Sequence, residues 1–215
     1  MQAKIYPAGS VYTFHWEKIQ KIKKTETSQN KVKNLFICSQ KMDGLCLRPG
    51  KIFSFWKVMG SPDATSGFVE GRVIKQETVQ SETGGGLCQL SGLLYIFALE
   101  NGLQIIERHS HSVDIYKESE RYSELGSDAT VVYGYKDLRF KNNSKANIVF
   151  QLDVDQKSVT LQTRTRIPLV EYKVSFVRTS DTQKTITVQT FREKVNNSLP
   201  DGKENLGESI YKKVF

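Results

Sequence analysis

Cys88 stands directly after three consecutive glycines, Gly84, Gly85 and Gly86, and heads an apolar helical pattern, LCQLSGLLYIFALE. A thiol placed there has the unpaired N–H groups of a first helical turn and the positive end of the helix dipole beside it, and both stabilise a thiolate. The glycines admit positive φ angles and close approach of the backbone, so with Gln89 they read as a substrate cradle rather than as packing. The amides of Leu87, Cys88 or Gln89 could then face a developing oxyanion. The plain alternative is that Cys88 is a small buried hydrophobe, as most lone cysteines are.

What lies beside the thiol follows from lengths. Leu90, Leu93, Leu94, Phe97 and Ala98 recur at the spacing of one helix face, and Asn101-Gly102 supplies a left-handed stop. A helix from Cys88 to Glu100 carries the chain about 20 Å away at roughly 1.5 Å per residue. The alternating LQIIERHSH that follows returns it as a strand, at about 3.3 Å per residue. His109 and His111 therefore arrive near Cys88 on one strand face, with Ser110 and Ser112 on the other. Cysteine at a helix start with histidine on the returning strand is a layout of cysteine acyl-transfer enzymes. Asp128 is placed either to hold a histidine's second nitrogen or to cap a strand. Either histidine reaches the sulfur by this estimate.

The elements that must position these groups come next. A helix is expected over 28–42, with Val32, Leu35, Phe36 and Met42 on one side and Asp43-Gly44 as its stop. Residues up to 26 read as an irregular or strand start followed by a short basic helix. Pro49-Gly50 leads into a strand through Ile52, Ser54 and Trp56, residues 60–71 form a loop, and 73–80 form one strand entering the triple glycine. Lys117–Glu124 is a loop or short helix, and DATVVYGY and KDLRFKN read as two strands. From Ala146 the pattern is a strand meander: NIVFQLDV, SVTLQTRT, 169–178 and 184–194, then a polar loop and a short final ESIYKKVF. The expected class is α+β, with two main helices packed on antiparallel strands and a β-rich C-terminal part.

At 215 residues, 38% hydrophobic and 25% charged, the chain can bury one substantial core. No apolar run approaches the roughly 20 residues of a membrane span, and the first sixteen residues lack the apolar stretch of a secretory signal, so the chain as given reads as cytoplasmic, or as wall-side if another segment exports it. Three cysteines make no even framework and fit no common zinc spacing, so Cys38 and Cys46 read as packing residues and neither metal nor other cofactor is expected. The net charge is +8, and residues 1–51 carry ten Lys or Arg against three acids, a net of +7. Such a face attracts a phosphate-bearing precursor or an anionic surface; no nucleic-acid-binding signature accompanies it.

LRPGKIFSFW, GFVEG, GGGLCQLSGLLY, ERHSHSVD, DATV and KDLRFKN resemble, in that order, the successive motifs of the VanW family, over roughly Asn30 to Arg164. The resemblance divides the chain into a basic segment (1–27), a VanW-like domain (28–165) and a β-rich extension (166–215) belonging to the same domain. It implies a link to glycopeptide resistance and to peptidoglycan or its precursors, with L,D-transpeptidase activity in some members. Cys88 would then be the nucleophile, His111 in its Arg-x-x-His-Ser setting the preferred base with His109 its neighbour, Asp128 the orienter, and Arg108 a substrate contact. The other reading is a non-catalytic accessory or binding protein for a precursor or a partner protein. The oligomeric state is left open.

Overall fold

A computed structural model describes residues 12–25, 28–75, 78–114, 121, 123–195 and 202–213, with the side chains of 73–79 left aside. Among these residues the chain is α+β, with three α-helices and thirteen mostly antiparallel strands. In chain order they are β1 (Phe14–Lys21), α1 (Ser28–Met42), β2 (Cys46–Leu47), β3 (Ile52–Ser54), α2 (Phe55–Met59), β4 (Glu70–Lys75), β5 (Thr78–Thr83) and α3 (Leu87–Glu100). There follow β6 (Gln104–Glu107), β7 (Val113–Asp114), β8 (Arg139–Lys141), β9 (Ile148–Val154), β10 (Ser158–Thr165), β11 (Tyr172–Asp181), β12 (Thr185–Lys194) and β13 (Glu204–Lys213).

The centre is α3, buried from Gln89 through Leu99 on every side, which is why its apolar pattern is broader than one stripe. Phe97 packs edge-on to Trp16, Phe140 and Phe150, tying the helix to three different strands. The described strands form four sheets, in the orders β1-β10-β9-β2, β11-β12-β13-β7, β3-β8-β6 and β4-β5. Within the second of these, β13 runs parallel to β7, so the last strand is stitched beside the residues that follow the histidines.

Both long helices match the sequence expectation, α1 at its stated bounds and α3 within one residue. Other expectations are corrected. The stretch expected as a short basic helix is β1, paired along its length from Phe14 opposite Thr165 to Lys21 opposite Ser158, so tertiary pairing overrides the helical propensity of its lysines. The strand through Trp56 stops at Ser54, whose Oγ accepts from the Lys57 amide and starts α2. Residues 73–80 are not one strand but parts of the β4–β5 hairpin. DATVVYGY carries no regular strand, only an isolated bridge between Val132 and Lys136. The final element is a ten-residue strand rather than a short tail. Most of the loop or short helix expected over Lys117–Glu124 lies outside the described residues.

Candidate active site

The triple glycine has a geometry that composition could not reveal. A Cβ on Gly85 would stand 2.1 Å from the Gly71 carbonyl carbon, so the backbones of the glycine loop and β4 cross in direct contact. Gly86 has a φ of 96° and caps α3, and a Cβ there would meet the Lys31 side chain at 2.5 Å. The expectation that these glycines serve a ligand alone is therefore corrected: they are required by packing, and Gly85 is not on the cleft surface while Gly84, Gly86 and Gln89 are. Fully buried Asn34 on α1 completes the arrangement. Its amide donates to the carbonyls of Val69 at 2.9 Å and Gly85 at 3.0 Å, and its carbonyl accepts from the Val69 amide at 2.9 Å.

Cys88 thus occupies the first turn of α3, and the same helix face builds the rest of the site. Ser91, one turn on, donates to the Ala129 carbonyl. Gly92 lies against the backbone of Ser127 and Asp128, where a Cβ would sit 3.6 and 3.7 Å away. Tyr95, a further turn along, stacks under the Arg108 guanidinium at 4.9 Å. Positions i, i+3, i+4 and i+7 of one helix therefore fix the thiol, the loop carrying Asp128 and the arginine that braces it.

His111 is the histidine brought to the thiol. β6 ends at Glu107, so the expected strand does not reach either histidine, and the irregular segment beyond it turns the two apart. His109 Nε2 lies 3.1 Å from Glu107 Oε1 with its side chain 37% exposed. The His111 side chain is 15% exposed, and its Nδ1 lies 2.7 Å from Asp128 Oδ2, which also accepts from the His111 amide at 2.7 Å. Nε2 is left as the ring nitrogen for Cys88, whose Sγ lies 3.9 Å from the Val131 carbonyl and whose ionisation His111 favours.

Asp128 is held from every side. Its Oδ1 accepts from Tyr211 Oη at 2.5 Å and from Arg108 Nη2 at 3.2 Å, while Arg108 Nε donates to the Asp128 carbonyl at 2.8 Å. Arg108 also donates to the Gly126 carbonyl at 2.9 Å and to Ser209 Oγ. Arg108, expected as a substrate contact, is instead turned inward and braces the carboxylate. Tyr211 and Ser209 belong to β13, and no local sequence signal marks them: Tyr211 reads as one more alternating strand residue, and only its depth, 1% exposed, distinguishes it.

The charges follow from this wiring. Burial opposes a charged imidazole, but the hydrogen bonds and charges of Asp128 and Cys88 outweigh it and raise His111 to about 10. Burial likewise opposes a thiolate at Cys88, yet the His111 hydrogen bond and charge hold its pKa below the ordinary value. Asp128, despite burial, is held well below the usual carboxylate range by His111, Arg108 and Tyr211. The result is a Cys88–His111 pair in which a charged imidazole, braced by a fixed carboxylate, favours ionisation of the thiol. Burial instead pushes Cys38 up to about 12, and raises Cys46 as well. The pair opens on a cleft of about 470 Å³, the size of a small-ligand site, whose rim carries Trp56, Tyr133 and Tyr135.

A family model described as VanW like protein matches residues 30–164, and that span contains Cys88, His111 and Asp128. The chain belongs to the VanW family. Over 148 residues it is 30% identical to the Vancomycin B-type resistance protein VanW of Enterococcus faecalis (strain ATCC 700802 / V583), covering 68% of this chain and 54% of that protein. Over 125 residues it is 30% identical to the uncharacterized protein YoaR of Bacillus subtilis (strain 168), covering 58% of this chain and 40% of that protein. The chain thus spans about half of the first of these relatives and less of the second. No solved structure matches significantly. Tyr211 and Ser209 lie beyond the family match.

Proposed function

We propose that this VanW-family chain performs cysteine acyl transfer of the L,D-transpeptidase type on peptidoglycan stem peptides or their precursors. The observation that supports this reading is the Cys88–His111–Asp128 constellation, in which the thiol, the imidazole and the carboxylate are linked in series at the mouth of one cleft. The Cys88 thiolate attacks the carbonyl of the donor peptide bond, forming a C–S bond and an oxyanion. The Gln89 amide is bonded to the Gly86 carbonyl at 3.1 Å, which leaves the amides of Leu87 and Cys88 as candidate oxyanion donors. Collapse of the tetrahedral intermediate breaks the C–N bond, and His111 Nε2 hands its proton to the departing amine of the terminal D-residue. An acceptor amine then attacks the thioester, giving its proton to His111 and restoring the thiolate.

Such a reaction on assembled wall takes place outside the cytoplasmic membrane, and on a precursor inside it. Among the described residues no helix is long and apolar enough to cross a membrane. The test is incubation with tetrapeptide-bearing muropeptides and intact-mass detection of a thioester on Cys88. The expected result is an adduct that is absent from Cys88→Ala, with peptide binding retained in that variant. Turnover or adduct formation by Cys88→Ala would overturn the assignment, and binding without any adduct in the wild type would favour the accessory reading.

A further inference from the structure

The cleft has two unlike walls. One carries His111 and Asp128; the other brings Lys23, Lys31 and Arg72 together from the segment after β1, the first turn of α1 and the β4–β5 hairpin. Lys31 passes close over the backbone at the start of α3. Its stem lies across Gly86, so closely that a Cβ there would stand 2.5 Å from Cγ, 3.2 Å from Cδ and 3.3 Å from Cε. The lysine is thereby laid beside the residue two positions before the thiol, and Gly86 is the residue type that permits it.

The electrostatics agree with this placement. Burial lowers the Lys31 pKa, the Cys88 charge raises it, and Arg72 and Lys23 lower it further, leaving it at about 8, so the ammonium persists at neutral pH. Among the acids lining the cleft, Asp128 is engaged with His111, Tyr211 and Arg108, and Asp114 with Arg121. Glu124 belongs to the segment that leads into Asp128, on the histidine side. Glu82 lies on the same hairpin as Arg72.

Two buried polar atoms belong to residues that also line the cleft. Gln89 is 3% exposed, and its Nε2 donates to the Lys21 carbonyl at 3.0 Å, which fixes the orientation of the amide. Its Oε1 has no hydrogen-bond partner among the described residues, and neither has Oγ1 of Thr130, which is 7% exposed. Both residues line the cleft. A buried acceptor left unsatisfied is costly, and such groups concentrate where a bound molecule completes them.

We propose that the Lys31 wall is a carboxylate-binding subsite: Lys31 pairs with the terminal carboxylate of the acyl donor, and Arg72 and Lys23 add to the attraction. The inference rests on the acyl-transfer reading and gives it a specificity. A residue spans at most about 3.6 Å, so a carboxylate held beside the thiol selects the last peptide bond of the donor over an internal one. Lys31 lies just inside the family match, whereas Lys23 lies before it.

Iodoacetate and iodoacetamide test the subsite without requiring turnover, because they share a leaving group and size while only the first carries a carboxylate. The ratio of their rates at Cys88 cancels any change in the thiolate population. Lys31→Met keeps the stem that covers Gly86 and removes the charge, and is expected to lower that ratio about fivefold, as loss of one nearby charge in a partly screened site implies. Arg72→Met is expected to lower it less. A ratio unchanged within about twofold in Lys31→Met overturns the subsite. A second arm compares donor peptides ending in a free carboxylate with the same peptides ending in an amide. Equal thioester yield from both refutes the carboxylate subsite and leaves acyl transfer standing. If neither peptide forms a thioester while the haloacetate ratio still depends on Lys31, the anion subsite stands and acyl transfer falls.

Discussion

Asp128→Asn is the substitution that most directly interrogates the wiring of the site. It is nearly isosteric and removes one negative charge that His111 contacts twice at 2.7 Å and that Tyr211 and Arg108 contact at 2.5 and 3.2 Å. His111 is raised from 6.5 to about 10 against burial, with Asp128 the first of the groups that raise it. Losing half of that rise corresponds to about 2 kcal/mol at roughly 1.4 kcal/mol per pKa unit, on the order of tens-fold in the protonation equilibrium of the imidazole. The Asp128 charge itself pushes the Cys88 thiol up, but less than His111 holds it down, so weakening the imidazolium raises the thiol pKa on balance. The assay is the rate of Cys88 alkylation by iodoacetamide as a function of pH, with the adduct mapped to separate it from Cys38 and Cys46. The expected outcome is a rate at pH 7 reduced about tenfold or more and a midpoint displaced upward. His109→Ala, which alters a residue bonded to Glu107 at 3.1 Å, should leave the profile in place. A profile for Asp128→Asn that superimposes on the wild type, or an equal shift in His109→Ala, would refute the reasoning. Stability carries the same signature with a definite sign. His111 has a folded pKa above its unfolded one, so its contribution is complete below pH 6.5 and is lost as pH rises towards about 10. Urea unfolding at pH 6 and pH 10 should therefore differ more in the wild type than in Asp128→Asn.

Two further outcomes follow from the packing. Tyr211→Phe deletes one hydrogen bond to a buried carboxylate and should cost about 1.5–3 kcal/mol of stability; Cys88 alkylation should slow several-fold while its pH midpoint moves less than in Asp128→Asn, and an unchanged rate would separate β13 from the site. Gly85→Ala forces a methyl group to 2.1 Å from the Gly71 backbone, with no flexible side chain to yield, and should cost about 3 kcal/mol or more in urea unfolding; a cost under about 1 kcal/mol would show that the glycine loop and β4 part easily.

The sequence made some of this legible for specific reasons. α1 and α3 have long apolar periodicity and glycine-containing stops, signals contained within one segment. The outward run of α3 and the return of the chain bring His111 to Cys88 by length alone, even though β6 ends before it. Lengths could not separate His111 from His109, because the turn that parts them depends on Asp128 and Glu107 as anchors. Tyr211 meets Asp128 across 83 residues, and the Gly71–Gly85 crossing joins glycines that look ordinary singly. β1 was hidden because its lysines suit a helix surface as well as a strand edge, and its partner β10 lies far along the chain. Lys31 was hidden for the same reason: in a basic helix start it looks like solvated charge.

The position of Tyr211 in the chain also sets an order of events during synthesis. Translation delivers the thiol, its helix, His111 and the Asp128 loop first, and Tyr211 only 83 residues after Asp128. Until β13 docks beside β7, Asp128 lacks one of its donors and Arg108 one of its acceptors, and the second small core around Ile186, Val188 and Tyr211 does not exist. The nascent chain therefore lacks one brace on Asp128 until a strand made long after the thiol has docked. A site assembled in this order receives its last brace in the same step that closes the protein around it.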